Sequence, residues 1–124
     1  MLKAKDVTTT NAATIESTKT VADAITLMRN KGLRGLVVTP PSQDDSYGMI
    51  TETDIIVYKV QSKQLEPASV KVSDIMTKPC IVVNPDLSVS NVAQLFANTH
   101  IRRAPVIQEK LLGIISVTDL LHKA

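Results

Sequence analysis

The chain is almost devoid of aromatic side chains: Tyr47, Tyr58 and Phe96 are all it has, and tryptophan is absent. Its core must therefore be aliphatic, and the aromatic platforms on which unpaired bases stack are missing. Cys80 is the only cysteine, which excludes an internal disulfide and with it a disulfide-stapled secreted scaffold. Placed in an expected strand, it reads as a small buried filler. The two histidines, His100 and His122, have neither metal-ligand spacing nor a cysteine partner, so no metal site is expected and both suit helix ends or the surface. There is no G-x-x-x-x-G-K-S/T phosphate loop. Asp44 and Asp45 follow Pro40-Pro41 and read as solvated turn chemistry, not as paired catalytic carboxylates. Catalysis is not expected.

Long apolar runs are also lacking. The stretch IIV at 55–57 falls far short of the roughly 18 residues a membrane helix needs. MLKAKDV at the start lacks the apolar segment of a secretory signal, so a cytoplasmic address and no membrane contact are expected. Fourteen basic residues against 12 acidic ones leave a net charge of +2, too even a balance to argue for nucleic acid or an anionic membrane. A hydrophobic fraction of 44% and a charged fraction of 21% suit a globular chain, and 124 residues suit one compact module that two halves could build.

What the chain does contain is a repeat. Residues 48–54 read GMITETD and residues 113–119 read GIISVTD, identical at Gly48/Gly113, Ile50/Ile115, Thr53/Thr118 and Asp54/Asp119. Shifted by 68 residues, KAKDV at 3–7 meets KVSDI at 71–75, and Thr9, Val21, Leu27, Asn30, Arg34 and Val38 meet identical residues. At the closing phrase the shift is 65, so the first copy carries three extra residues, placed in the loop-like stretch TPPSQDDSYG.

Each copy is expected to run β-α-β-β-α. A short strand (around Ala13–Ile15 and Cys80–Val83) leads into a helix with Thr20 or Ser88 as N-cap. The apolar faces Val21, Ala24, Ile25, Met28 and Val89, Val92, Ala93, Phe96 follow helical spacing. Gly32 ends the first helix, and His100 stands in its place in the second. Buried strands at Gly35–Thr39 and Ala104–Ile107 follow, then a strand ending in the repeated phrase, then a last helix beginning at Asp54 or Asp119. The expected division is a first repeat at 1–60, a connector at 61–70 where Pro67 bars continuation of the helix, and a second repeat at 71–124. The expected fold class is α/β of the α+β kind, with two β-α-β-β-α repeats too small to stand well alone, each large enough to bury one face against its twin.

The phrase admits two readings. Thr51-x-x-Asp54 and Ser116-x-x-Asp119 fit a capping box, with Gly48 and Gly113 as turn residues. The same geometry suits a ribose-phosphate site. A helix N-terminus favours phosphate, Thr51, Thr53, Ser116 and Thr118 add hydroxyl donors, and a carboxylate accepts the vicinal hydroxyls of ribose. Arg34, Arg102 and Arg103, at the head of the third element, are suited to phosphate or else to a solvated edge.

In order along the second copy stand DIMT at 74–77, VNPDLSV at 83–89, IRRAPV at 101–106 and GIISVTD at 113–119. Together they resemble the CBS domain, which occurs in tandem as a Bateman module, and the resemblance spans essentially the whole chain. The first copy departs from it, with DVTT for DIMT, IESTKTV without Pro-Asp, and LRGLVV without the proline. The resemblance implies that the two repeats pack as a pseudo-twofold pair, with two clefts between them that bind AMP, ADP, ATP or sometimes S-adenosylmethionine as a regulatory ligand, with no cofactor required. It implies that Asp54 and Asp119 accept ribose hydroxyls and that Thr51, Thr53, Ser116 and Thr118 contact ribose or phosphate. The stretches Thr9–Ala13 and Thr77–Ile81, with Thr77, Pro79 and Ile81 among them, flank the base, and Arg34, Arg102 and Arg103 meet phosphate. Because Gly35 stands where the second copy has Arg103, the clefts should differ in cationic character. A disc-like homodimer and an effector protein as recipient of the signal are the partners implied. A nucleotide-independent protein-interaction module is the alternative.

Overall fold

Two β-sheets, each backed by helices, organise the chain in a computed structural model that describes residues 1–42, 44–62 and 66–124. Gln43 in the inserted loop and residues 63–65 in the expected connector lie outside the described residues. The chain divides into two compact units: a continuous one, Ala13–Cys80, and a split one, Met1–Ala12 with Ile81–Ala124. The packing units therefore divide the chain at different places from the sequence repeat, because each lead-in packs with the other copy's sheet.

In the continuous unit β1 (Thr14–Glu16) pairs parallel with β2 (Gly35–Thr39), which pairs antiparallel with β3 (Gly48–Thr51). Helix α2 (Val21–Lys31) joins β1 to β2, as a parallel pairing requires a crossover. It begins where expected: the Thr20 hydroxyl accepts the Asp23 N–H at 3.1 Å, and the Thr20 N–H donates to the Asp23 carboxylate at 3.2 Å. Gly32 ends it at φ 64°, a left-handed cap. Val21, Ala24 and Met28 are buried with Ile15, Leu36, Val38, Ile50 and Ile55, while Ile25 packs against the edge of that cluster. After β3 comes α3 (Glu52–Ser62). The lead-in of the second repeat then adds a single turn, α4 (Val72–Ile75), whose Val72 is fully buried in the same core.

The split unit mirrors this with α1 (Ala4–Val7), α5 (Val89–Thr99), β4 (Arg103–Gln108), β5 (Lys110–Ser116) and α6 (Val117–Lys123). Its core is Ala4, Val7, Val83, Val92, Phe96, Ala104, Val106 and Ile115. Ser88 caps α5, and His100 ends it in the left-handed conformation at φ 58°. Ala93, expected on the apolar face, is exposed, and Leu95 packs against the core instead.

Three expectations need correction. The strand at Cys80–Val83 does not form, and only Val83 bridges Val106. Proline supplies the reason. In the continuous unit the Val37 N–H donates to the Ala13 carbonyl at 3.2 Å. Pro105 stands at the corresponding position and has no N–H to give, so the ladder stops. Cys80 is accordingly in no strand and half-buried, its N–H donating to the Tyr47 carbonyl at 3.2 Å, and burial pushes its thiol pKa up. The last helices begin at Glu52 and Val117, which makes Asp54 and Asp119 the third helical residues and not the first.

Candidate functional site

The repeated phrase folds the same way in both units. Gly48 opens β3 and Gly113 lies inside β5, neither in a turn. Both admit close approach of a lead-in backbone: Thr77 exchanges hydrogen bonds with Met49 (3.0 and 2.8 Å), and Thr9 with Ile114 (2.9 and 3.0 Å). A Cβ on Gly48 would stand 3.0 Å from the Thr77 carbonyl oxygen, and one on Gly113 only 2.4 Å from that of Thr9. The phrase's glycines are thus cleared for a neighbouring strand, more tightly in the split unit.

At the strand-to-helix junction each unit builds a capping box. The Thr51 N–H and hydroxyl donate to Asp54 Oδ2 at 2.9 and 3.1 Å, and the Asp54 N–H donates to Thr51 Oγ1 at 3.2 Å. The Ser116 N–H and hydroxyl donate to Asp119 Oδ2 at 2.9 and 3.0 Å, with the Asp119 N–H returning to Ser116 Oγ at 3.1 Å. Asp119 goes further. Its Oδ1 accepts the Thr9 hydroxyl at 3.0 Å and the Lys123 ammonium at 2.9 Å, and Lys123 also donates to Thr9 Oγ1 at 3.0 Å. A carboxylate has about four lone-pair sites, and Asp119 fills them all. Among the described residues Asp54 Oδ1 has no hydrogen-bond partner; Tyr58 occupies the position equivalent to Lys123, and the hydroxyl of Thr77 does not reach Asp54.

Electrostatics follow this count. Burial of Asp119 would raise its pKa, but the hydrogen bonds from Lys123, Thr9 and Ser116 together outweigh burial and hold it below the usual carboxylate range. Near Gly48 the Lys78 ammonium, 2.6 Å away, and the Ser46 N–H hold Asp45 low as well, so Asp45 is ion-paired and not a merely solvated turn residue.

The other expected residues are distributed between the units. In the continuous unit Arg34 is exposed just before β2, and its carbonyl accepts the first N–H of α3, from Glu52, at 3.0 Å. That bond and the Gly35–Thr51 register bring Arg34 to the Thr51/Asp54 end of the sheet. Thr53, Thr77 and Pro79 are exposed in this unit, and Lys78–Pro79 is a cis peptide. In the split unit the Arg102 carbonyl accepts the Val117 N–H at 2.9 Å, and Arg103 stands in register with Ser116. Thr118 and Ile81 are exposed there. Two residues on Asp119 were not singled out from sequence as its partners, Thr9 and Lys123. Lys123 lies four residues after Asp119, the ordinary spacing of a helical ion pair, which was the available signal. Among the described residues no group of three or more His, Cys, Asp and Glu side chains could hold a metal, and no helix is long and apolar enough to cross a membrane.

Two sheet-and-helix units, each closing on a capped Asp phrase, define a tandem-repeat module. The chain belongs to the CBS domain family, whose model matches residues 4–60 and 72–124, and it is a CBS-domain pair. It is similar to an uncharacterized protein of Methanopyrus kandleri, 36% identical over 107 residues, covering 85% of this chain and 54% of that protein. The chain thus spans about half the length of that relative. It is also similar to a hexameric CBS-CP12 protein from bloom-forming cyanobacteria, 56% identical with a TM-score of 0.91, over 99% of this chain and 72% of that one. CBSX2 solved in complex with AMP is 25% identical with a TM-score of 0.80, over 98% of this chain and 94% of that one.

Proposed function

We propose that this CBS-domain pair senses an adenosine nucleotide and that Asp54 is the carboxylate that accepts its ribose. The observation that carries the assignment is a contrast between the two carboxylates: among the described residues Asp54 Oδ1 has no hydrogen-bond partner, whereas both oxygens of Asp119 are occupied. A ribose presents two vicinal hydroxyls, both donors, and a carboxylate oxygen without partners accepts them without breaking any bond of the protein. Thr53 and Arg34, exposed at the same end of the unit, are suited to phosphate beside the N-terminus of α3. Thr77 and Pro79 supply backbone and ring surface for the base. At Asp119 a ribose must first displace Thr9 or Lys123, so the contribution of Ser116, Thr118, Arg102, Arg103 and Ile81 is the weaker one. The AMP complex of CBSX2 supports an adenosine ligand. Binding alters which partner-facing conformation is populated, and the output passes to an effector protein. S-adenosylmethionine, sharing the adenosine, is the competitor ligand.

Isothermal titration with AMP, ADP, ATP and S-adenosylmethionine tests this. Saturable heat in the wild-type chain, retained in Asp119→Asn and lost in Asp54→Asn, is the expected pattern. The reverse pattern moves the site to Asp119. No heat with any of the four ligands, with an unshifted melting temperature, removes the nucleotide reading.

A second reading has its own support. The 56% identical CBS-CP12 neighbour is hexameric, and α3 exposes aliphatic side chains, so we propose that this chain also self-associates. Sedimentation equilibrium decides it, a concentration-independent monomer being the contrary result.

A further inference from the structure

The two carboxylates of the repeated phrase are followed, four residues later, by different side chains. On α6 that side chain is Lys123, whose ammonium donates to two oxygens at once, Asp119 Oδ1 at 2.9 Å and Thr9 Oγ1 at 3.0 Å. The two oxygens are themselves joined, the Thr9 hydroxyl donating to Asp119 Oδ1 at 3.0 Å. Two adjacent acceptors served by one double donor form the pattern that a vicinal diol satisfies with its two hydroxyls. Lys123 thus sits on oxygens that a ribose would use, as a ligand supplied by the chain itself. On α3 the matching residue is Tyr58, and among the described residues no hydrogen bond joins it to Asp54.

Of the two partners on Asp119 Oδ1, Lys123 is the one that can leave. Thr9 is held by its backbone, which exchanges hydrogen bonds with Ile114 at 2.9 and 3.0 Å, so its hydroxyl stays beside Asp119 whatever else binds. Lys123 reaches the pair through a long side chain that is 47% exposed. An ion pair of that exposure, with one further hydrogen bond to a hydroxyl, weighs about tenfold against a competing ligand. Without Lys123, Asp119 Oδ1 and Thr9 Oγ1 each recover an accepting position. Thr9 then belongs to the site and does not obstruct it.

We propose that the residue four positions after each Asp decides which unit takes the nucleotide: Lys123 closes the Asp119 site by occupying the acceptors of the diol, and Tyr58 leaves Asp54 open. The proposal rests on the nucleotide reading above, and the experiment separates the two. Isothermal titration of the full chain with AMP, carried to millimolar concentration, is run for wild type, Asp54→Asn and Tyr58→Lys. Lys123→Met, Lys123→Arg and Lys123→Met/Thr9→Val are each added to Asp54→Asn, with circular dichroism confirming every fold. Because Asp54→Asn silences the continuous unit, binding that returns with Lys123→Met belongs to the split one. Its dissociation constant should fall about tenfold or more below that of Asp54→Asn alone. Lys123→Arg keeps a cation within reach of Asp119 and should stay closed. Thr9→Val should cancel the gain, since the diol loses its second acceptor. Tyr58→Lys sets a cation four residues after Asp54 and should weaken wild-type binding about threefold or more. If wild type binds AMP but Lys123→Met adds nothing to Asp54→Asn, or Lys123→Arg binds as tightly as Lys123→Met, closure by the lysine is wrong and the nucleotide reading stands. Tighter binding on adding Thr9→Val makes the threonine the obstacle and also overturns the proposal. Unchanged or tighter binding in Tyr58→Lys overturns the rule for the continuous unit. A silent wild type beside a binding Asp54→Asn/Lys123→Met keeps the closure and overturns the assignment to Asp54. Silence throughout overturns both.

Discussion

At the end of β5, Asp119 is buried, four donors fill its lone pairs, and the N-terminal segment is tied to α6 through Thr9. At the end of β3, Asp54 is half-buried and holds two donors, both from Thr51 on one oxygen. The capping box is common to both, so the seven-residue phrase accounts for the cap. What separates the two lies outside the phrase: how closely the lead-in approaches, and whether a lysine follows four residues later. The same motif is a latch in one unit and, among the described residues, a plain helix cap in the other.

The largest effect expected from probing this contrast is at the glycines. Gly113→Ala places a methyl 2.4 Å from the Thr9 carbonyl oxygen and 2.6 Å from Thr8 Cγ2, so the lead-in backbone must move. Overpacking against backbone should cost about 3 kcal/mol. Gly48→Ala meets the Thr77 oxygen at 3.0 Å and the flexible Met76 sulfur at 3.2 Å, and should cost about 1 kcal/mol. Urea denaturation of both variants measures the difference. Equal costs would mean that the two lead-ins are seated alike and that the contrast at Asp54 and Asp119 has another origin.

Next come the carboxylates. Asp119→Ala removes the cap and strands Thr9 and Lys123, at about 2 kcal/mol. Asp54→Ala loses only the cap, at about 1 kcal/mol. The order of the two, read from urea midpoints at neutral pH, is the test; an Asp54 variant that is the more destabilised would contradict the latch.

The latch also has a pH signature. Asp119 has its folded pKa lowered by Lys123, Thr9 and Ser116 against the opposing effect of burial. The folded state thus binds the proton less readily than the unfolded state. The stabilisation is fully present above the unfolded carboxylate value, about 3.9, and is lost as pH falls through the lower folded value. The stability gap between wild type and Asp119→Asn should therefore hold constant at neutral pH and narrow once the pH drops below about 4. A gap that stays constant through the acid range would mean that Asp119 keeps no advantage as a carboxylate.

Much of this was legible in the residues. Helix caps at Thr20 and Ser88, the stop at Gly32 and the buried β2 and β4 segments follow from local chemistry, and each formed in place within a residue or so. The one-turn helices α1 and α4 were not legible, because four residues are too few for periodicity to register. The loss of the strand before α5 was written at Pro105, but only a knowledge of which residue it faces makes a missing N–H decisive. At the candidate site the hydroxyl–carboxylate pairs were visible as a spacing, whereas the bond from Thr9 to Asp119 joins residues 110 apart and depends on tertiary approach alone. The exchange of lead-ins between units belongs to the same class: no local pattern at residues 3–7 tells which sheet they will cover.

The smallest effect concerns the helix ends, where the two copies reach one conformation with different residues. Gly32 sits at φ 64° at no steric cost, and no atom lies within 4 Å of where its Cβ would be. His100 holds φ 58° with a full side chain, which for an L-residue costs about 1 kcal/mol. His100→Gly should therefore stabilise the split unit by about 1 kcal/mol, and Gly32→Ala should destabilise the continuous one by a similar amount. Because open space surrounds Gly32, any loss there is conformational and not steric, which makes the pair a clean measure of the left-handed penalty in two settings. If His100→Gly destabilises instead, the imidazole makes a contact at the end of α5 worth more than the backbone strain.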